Sequence, residues 1–259
     1  MMLFHLFLLI LPGFSSTKTV QRPPSKQLAS GSDAGPCEFP HMVYLDLHFS
    51  PGRSFCGGSI LDKNYILTSA RCLNGDLNDI TVHIGSIKKN SGTQVIKGKE
   101  WFLHPDFQLT SKKIVNDIAL VKLEKEIVFD VCVQAISLPT KGQQLSDKCY
   151  ITGWGFLTDD LQPTRSLKKA VVGVISTQKC QKQFPGIFPD QHICIGDQTY
   201  MGPSSCLGDS GGPLTCTNPA DNKSVVAGVA SYSYSCNQGF SVFTNTENFV
   251  DWVKTKMQQ

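Results

Sequence analysis

Ten cysteines in a chain of 259 residues constrain this protein more than any other feature. The number is even, and the chain opens as an exported protein does, so the cysteines read as a disulfide framework built in an oxidising compartment. Zinc is the competing use of such a set. No Cys-x-x-Cys pair exists, and the six histidines (His5, His41, His48, His83, His104 and His192) form no ligand-spaced cluster. No metal and no other cofactor is therefore expected.

The export signal is the run "MMLFHLFLLILPGFSS". Its apolar stretch from Met1 to Leu11 is too short to span a bilayer and fits a signal-peptide core, although no Lys or Arg precedes it. Cleavage is expected near Ser15 or Ser16, giving a signal peptide over residues 1–15. A polar, proline-paired leader over 16–27 follows, and the folded domain runs from 28 to 259. The mature protein is thus expected outside the cell, with no membrane attachment. Asn222-Lys223-Ser224 is the sole N-x-S/T sequence, which makes Asn222 a candidate glycosylation site.

With 41% hydrophobic and 17% charged residues, the chain can bury a full core. Its net charge of +3 is mild, and no basic stripe with interleaved aromatics argues for nucleic acid. From Met42 onward short apolar or alternating runs are broken by Gly, Pro, Asn and Asp. "MVYLDLHF", "ITVHIG", "DIALVKL" and "VVAGVASY" are examples. This spacing predicts an all-β barrel or sandwich. Only "TENFVDWVKTKM" has helical spacing, with Phe249, Trp252, Val253 and Met257 on one face.

The most specific stretch is "CLGDSGGPLTC", Cys206 to Cys216. Glycines flanking a serine let the backbone turn sharply, present the hydroxyl and free amide N–H groups for an oxyanion. Between two cysteines, GDSGGP resembles the nucleophile loop of the chymotrypsin-like (trypsin-family) serine proteases. "FCGGSILDKNYILTSARC", "NDIALVKL", "ITGWG" and the "NFVDWV" helix continue the likeness in order. The resemblance implies two six-stranded antiparallel β-barrels with a C-terminal helix and a site in the cleft between them. It implies Ser210 as nucleophile, Asp117 as the acidic partner, and Gly208 and Ser210 as oxyanion-hole amides. It also implies the bridges Cys56–Cys72, Cys149–Cys216, Cys180–Cys194 and Cys206–Cys236. Cys37 and Cys132 then remain to pair with each other.

At the position of the base, the family has histidine and this sequence has Arg71. A serine hydroxyl needs a neighbour that takes its proton and returns it. Guanidinium stays protonated and has no lone pair to offer. Arg71 is expected instead to pair with Asp117. His83 and His104 lie outside the family context and are not expected to substitute.

Other departures concern maturation and specificity. The family frees an "IVGG" amine that pairs with the aspartate before the nucleophile, here Asp209. This chain has Leu28 to Gly31, "LASG", after Gln27. The specificity pocket carries Ser204 at its base, Tyr232 where tryptophan is usual, and Ser233 and Ser241 where glycines are usual. Those side chains are expected to narrow it. The sequence thus reads as a secreted protease homologue that has lost hydrolysis and works, as a monomer, by binding another protein or as a decoy or regulator. Candidate partners are extracellular protease-cascade or host-defence proteins. Known precedents are the inactivated paralogues of parasitic mites, whose digestive trypsins "FCGGSILD" and "LPTKG" resemble, and arthropod clip-type homologues. No clip domain is expected ahead of this barrel. A weak or atypical serine endopeptidase using Ser210 is the alternative.

Overall fold

The computed structural model describes residues 31–111, 113–146, 148–157, 164–196, 203–233, 236 and 239–259. The expected signal peptide, leader and "LASG" stretch as far as Ser30 lie outside these residues. The elements in chain order are β1 (Ser32–Asp33), β2 (Met42–Phe49), β3 (Arg53–Ile60), β4 (Tyr65–Thr68), α1 (Ala70–Leu73), β5 (Leu77–Ile84) and β6 (Gln94–Leu103). Next come β7 (Gln108–Leu109), β8 (Ile114–Val115), β9 (Ala119–Leu123), β10 (Lys148–Gly153), β11 (Lys168–Ile175), α2 (Thr177–Gln183) and β12 (His192–Gly196). The last are β13 (Pro213–Thr217), β14 (Ser224–Tyr232), β15 (Phe240–Asn245), a 3₁₀ turn (Thr246–Phe249) and α3 (Val250–Met257).

The strands close into two six-stranded antiparallel barrels. The first runs β2-β3-β4-β9-β6-β5 and returns to β2. The second runs β11-β10-β13-β14-β15-β12 and returns to β11, whose first residues also carry β1 on their edge. Closure leaves few unpaired strand edges in either sheet.

Strand periodicity sets which side chains fill the barrels. In β5, Leu77, Ile80, Val82 and Ile84 point inward, while Asn78, Asp79, Thr81 and His83 alternate outward. They join Val43, Leu45 and Leu47 of β2 and Val121 of β9 in the first core. β14 breaks the alternation, because Val225 to Ser231 are all buried. Its Ala227 and Ala230 fill the second barrel, whereas Val226 and Val229 meet Phe249 and Val253 at the C-terminal helix. Tyr65, Leu67 and Leu120 of the first barrel join the same cluster, so α3 clamps both barrels. Phe249, Trp252, Val253 and Met257 all face that cluster, as their spacing predicts.

Backbone contacts fix the seam between the barrels. A Cβ on Gly57 would lie 2.9 Å from Gly212 Cα, closer than packing allows. His41, just before β2, reaches across to β13, where its Nε2 shares a 3.1 Å hydrogen bond with Thr215 Oγ1. Asn222 is exposed in the turn that leads into β14.

All ten cysteines pair, as Cys37–Cys132, Cys56–Cys72, Cys149–Cys216, Cys180–Cys194 and Cys206–Cys236. Cys37–Cys132 spans 95 residues and ties the segment before β2 to the loop after the first barrel. Cross-linking so long a segment restricts the unfolded chain most, a stabilisation of about 2–4 kcal/mol. We expect a Cys37→Ser/Cys132→Ser variant to fold and lose roughly that amount in urea unfolding, with four bridges found by non-reducing peptide mapping. Unchanged stability would argue against the assignment.

Burial pushes the His41 imidazole down to about 4. Below pH 6.5 the unfolded chain binds a proton that folded His41 refuses, so this residue's contribution is lost as pH falls from about 6.5 towards 4. The stability difference between the wild type and His41→Gln should therefore fall by about 3 kcal/mol between pH 7 and pH 4. Groups common to both proteins cancel in this difference. Urea titrations at the two pH values measure it, and a constant difference would contradict the burial argument.

Candidate functional site

The loop from Cys206 to Gly212 lies at the mouth of the second barrel and is held from three sides. Its disulfide ties Cys206 to Cys236. Ser210 O accepts from Gly57 N at 2.8 Å, which fastens the loop to the first barrel. Gly211 N donates to Ala230 O, and Ala230 N to Gly212 O, each at 2.8 Å. Gly211 has φ of +78°, and a Cβ there would strike Thr68 Oγ1 at 2.1 Å. Only glycine can make this turn against β4. Neither Gly208 nor Ser210 gives its N–H to a protein acceptor among the described residues.

Asp209 turns inward and is only 2% exposed. Its oxygens accept from Gly155 N at 2.8 Å and Cys206 N at 2.9 Å. Burial pushes its carboxyl up to about 6, against the pull of those two N–H groups and the positive charge of Lys89. The glycines of "ITGWG" make room for it, since a Cβ on Gly153 would lie 1.9 Å from Asp209 Oδ1.

Asp117 is fully buried where the two barrels meet. Its Oδ1 accepts from the backbone N–H of Arg71 at 2.7 Å and its Oδ2 from Ser231 Oγ at 2.6 Å. Thr244 Oγ1 donates to Asp117 O at 2.8 Å, anchoring the backbone as well. Burial raises the carboxyl above its ordinary range, opposed by the Ser231 hydroxyl, the N–H groups of Arg71 and Ala70, and the Arg71 charge.

The structure corrects the expected pairing of Arg71 with Asp117. The main chain of Arg71 holds that carboxylate, while the guanidinium turns away and donates through Nη1 to Ser231 O. The reason is geometric. Asp117 lies beneath the first turn of α1, within reach of backbone amides, and Ser231 Oγ takes its second oxygen. Ser231 therefore grips both residues, its hydroxyl on Asp117 and its carbonyl on Arg71. Sequence reasoning missed it. The available signal was its place beside Tyr232 and Ser233 at the end of a strand whose alternation fails.

Two cavities flank the Arg71–Ser210 pair, and both residues border both. On the side of Ser205, Tyr232 and Ser233 the space is about 40 Å³. Serine side chains tie together the segments around it. Ser233 Oγ donates to Ser205 O at 3.1 Å, Ser241 Oγ accepts from Ser205 N at 2.8 Å, and Ser204 Oγ donates to Cys236 O at 3.1 Å. Tyr232 packs edge-on against Phe184, with centroids 5.6 Å apart. On the other side the space is about 250 Å³, walled by Phe49, Phe55, Phe156 and Leu207. Phe55 closes over the Cys206–Gly212 loop, for a Cβ on Gly208 would lie 2.3 Å from its ring. Lys89 Nζ sits 3.5 Å from the Phe55 centroid and 5.7 Å from that of Phe156.

The other histidines are engaged elsewhere. His83 packs on Tyr44, and His104 packs on Phe249 and Trp252. Burial lowers the proton affinity of both rings. No group of His, Cys, Asp or Glu able to hold a metal occurs among the described residues, and no helix among them is long and apolar enough to cross a membrane.

Comparison with known proteins fits this geometry. The family model described as Trypsin matches residues 28–253. Chymotrypsin-2 of Vespa crabro is 32% identical over 88% of this chain and 98% of its own length. Granzyme C of Mus musculus is 31% identical over 92% and 94%, and Trypsin Blo t 3 of Blomia tropicalis is 31% identical over 88% and 85%. Among solved structures, HL collagenase superposes with a TM-score of 0.77 at 28% identity, covering 88% of this chain and 98% of that one. Two closed barrels, a buried aspartate at their junction and a glycine-walled serine loop thus accompany sequence likeness over nearly the whole chain, and the protein belongs to the trypsin family of serine proteases.

Proposed function

We propose that this protein is a secreted, non-catalytic member of the trypsin family that acts by binding another protein. The observation that carries the reading is the position of Arg71. It lies beside Ser210, donates its backbone N–H to Asp117 and turns its guanidinium onto Ser231 O. In the family a histidine there accepts the serine's proton and passes it to the leaving group. Guanidinium only donates, so Ser210 has no base. In another serine protease, losing the histidine costs about 10⁶ in turnover.

The slot beside Ser210 supports the same reading. At about 40 Å³ it has room for roughly two or three waters and none for a substrate side chain. Five disulfides are consistent with an extracellular destination. Asn222, exposed in its turn, is accessible to a glycan.

One observation favours the second reading, a weak serine endopeptidase. The amides of Gly208 and Ser210 have no protein acceptor among the described residues, which leaves both available as donors to an oxyanion. Labelling of Ser210 by a fluorophosphonate separates the two readings. We expect no labelling above that of Ser210→Ala, and no turnover of peptides cleaved by trypsin, chymotrypsin or elastase. Turnover that disappears in Ser210→Ala would refute the proposal.

Restoring the base should not by itself restore the enzyme. In Arg71→His the guanidinium leaves Ser231 O, but Ser233 still joins Ser205 at the edge of the slot, and Ser241 still holds Ser205 N. We expect Arg71→His to recover only a small fraction of the ~10⁶-fold that a base supplies. Robust peptide hydrolysis by that single variant would show that the cleft is otherwise competent.

A further inference from the structure

The two sides of the Arg71–Ser210 pair differ in a way that specifies a ligand. One side is shut at about 40 Å³, with Arg71 bonded to Ser231 O across it. A chain running through the cleft would need both sides. Of these two cavities only the other, at about 250 Å³, has room for a whole residue, which favours the end of a chain as its occupant. Its volume falls below the roughly 300 Å³ of a small-molecule pocket and suits a single residue.

The chemistry of the open side is equally uneven. Arg71, Gly208 and Ser210 line it together, and the N–H groups of Gly208 and Ser210 have no protein acceptor among the described residues. Guanidinium has five donors, of which one is used on Ser231 O among the described residues. The walls are apolar, formed by Phe55 and Phe156 with Leu207 at the rim, where it is 57% exposed. Lys89 Nζ lies over the Phe55 ring but is not among the residues that line the space. The carboxylates nearby are Asp117 and Asp209, both sealed beneath the floor with their oxygens engaged by protein donors.

We propose that this half-cleft is a receptor for a free C-terminal carboxylate on a chain ending in an apolar residue. The carboxylate sits against Arg71 and the nucleophile-loop donors, and the terminal side chain enters the Phe55–Phe156 pocket. A planar guanidinium suits a carboxylate through paired hydrogen bonds. A terminal residue carries its carboxylate and its side chain on one Cα, which matches donors and aromatic wall in a space this small. An internal Asp or Glu brings a carboxylate without the apolar group. The proposal deepens the non-catalytic reading above and rests on it, since a turning-over enzyme would need this space for the leaving chain.

The test titrates the whole secreted protein, by calorimetry, with acetyl-Ala-Ala-Phe as free acid, with its C-terminal amide, and with an amidated peptide carrying an internal Glu. We expect the free acid to bind at least tenfold more tightly than either other probe. Arg71→Gln should bring acid and amide to equal affinity, and Phe55→Ala should weaken the acid. The acid–amide comparison needs no variant, so misfolding of Arg71→Gln would leave the test intact. Equal affinity for acid and amide in the wild type, tight binding of the internal-Glu peptide, or no binding of any probe would overturn the proposal. Assaying the same samples for peptide turnover keeps the two readings apart. Turnover would sink the non-catalytic reading, while loss of the acid preference without turnover would sink only the receptor.

Discussion

The cleft depends on one close approach of backbone to backbone, that of Gly57 to Gly212. Two barrels could share a flexible linker and move independently. Here the absence of a Cβ on Gly57 lets β3 come within contact of the Ser210 loop, and Gly57 N donates to Ser210 O. Thr68 Oγ1 donates to Gly57 O at 2.9 Å, and Gly211 turns against that same hydroxyl. A side chain at Gly57 or Gly211 would separate the barrels and dismantle the site before any chemistry were altered. The α3 clamp and the His41–Thr215 link hold the same seam elsewhere.

That seam also decides the electrostatics. Bringing the barrels together buries Asp117 and Asp209, and an isolated buried carboxylate is expensive. Each is offset by directed donors: backbone N–H and Ser231 hydroxyl for Asp117, backbone N–H pairs and the Lys89 charge for Asp209. Because Asp117 is satisfied without the guanidinium, Arg71 is left to bind Ser231 O and to face the cleft. Arg71 thus brings a cation to the cavities that border Ser210. The scaffold tolerates this because the charge remains at the boundary with solvent.

Different parts of this protein were legible in the sequence to different degrees. The barrels were readable from the alternation in "ITVHIG" and similar runs, and the C-terminal helix from the spacing of Phe249, Val253 and Met257. The turn at Ser210 was readable because glycines flank a serine between cysteines. Ser231 was not, because a serine at the end of a buried strand has no local mark of a role, and both its partners lie more than a hundred residues away. The direction of the Arg71 side chain was misread for a related reason. Charge suggested an ion pair, whereas the reach of a backbone amide into the buried carboxylate settled the contact.

The sequence by itself determined the disulfide count, the β-rich class and the residue types expected at the cleft, Arg71 among them, since these follow from local composition, spacing and resemblance. The tertiary structure decided which groups each carboxylate meets, that the slot beside Ser210 closes to about 40 Å³, and that the aromatic side stays open. Those outcomes come from contacts between strands far apart in the chain. Closure of two barrels sets such distances, and no local pattern encodes them.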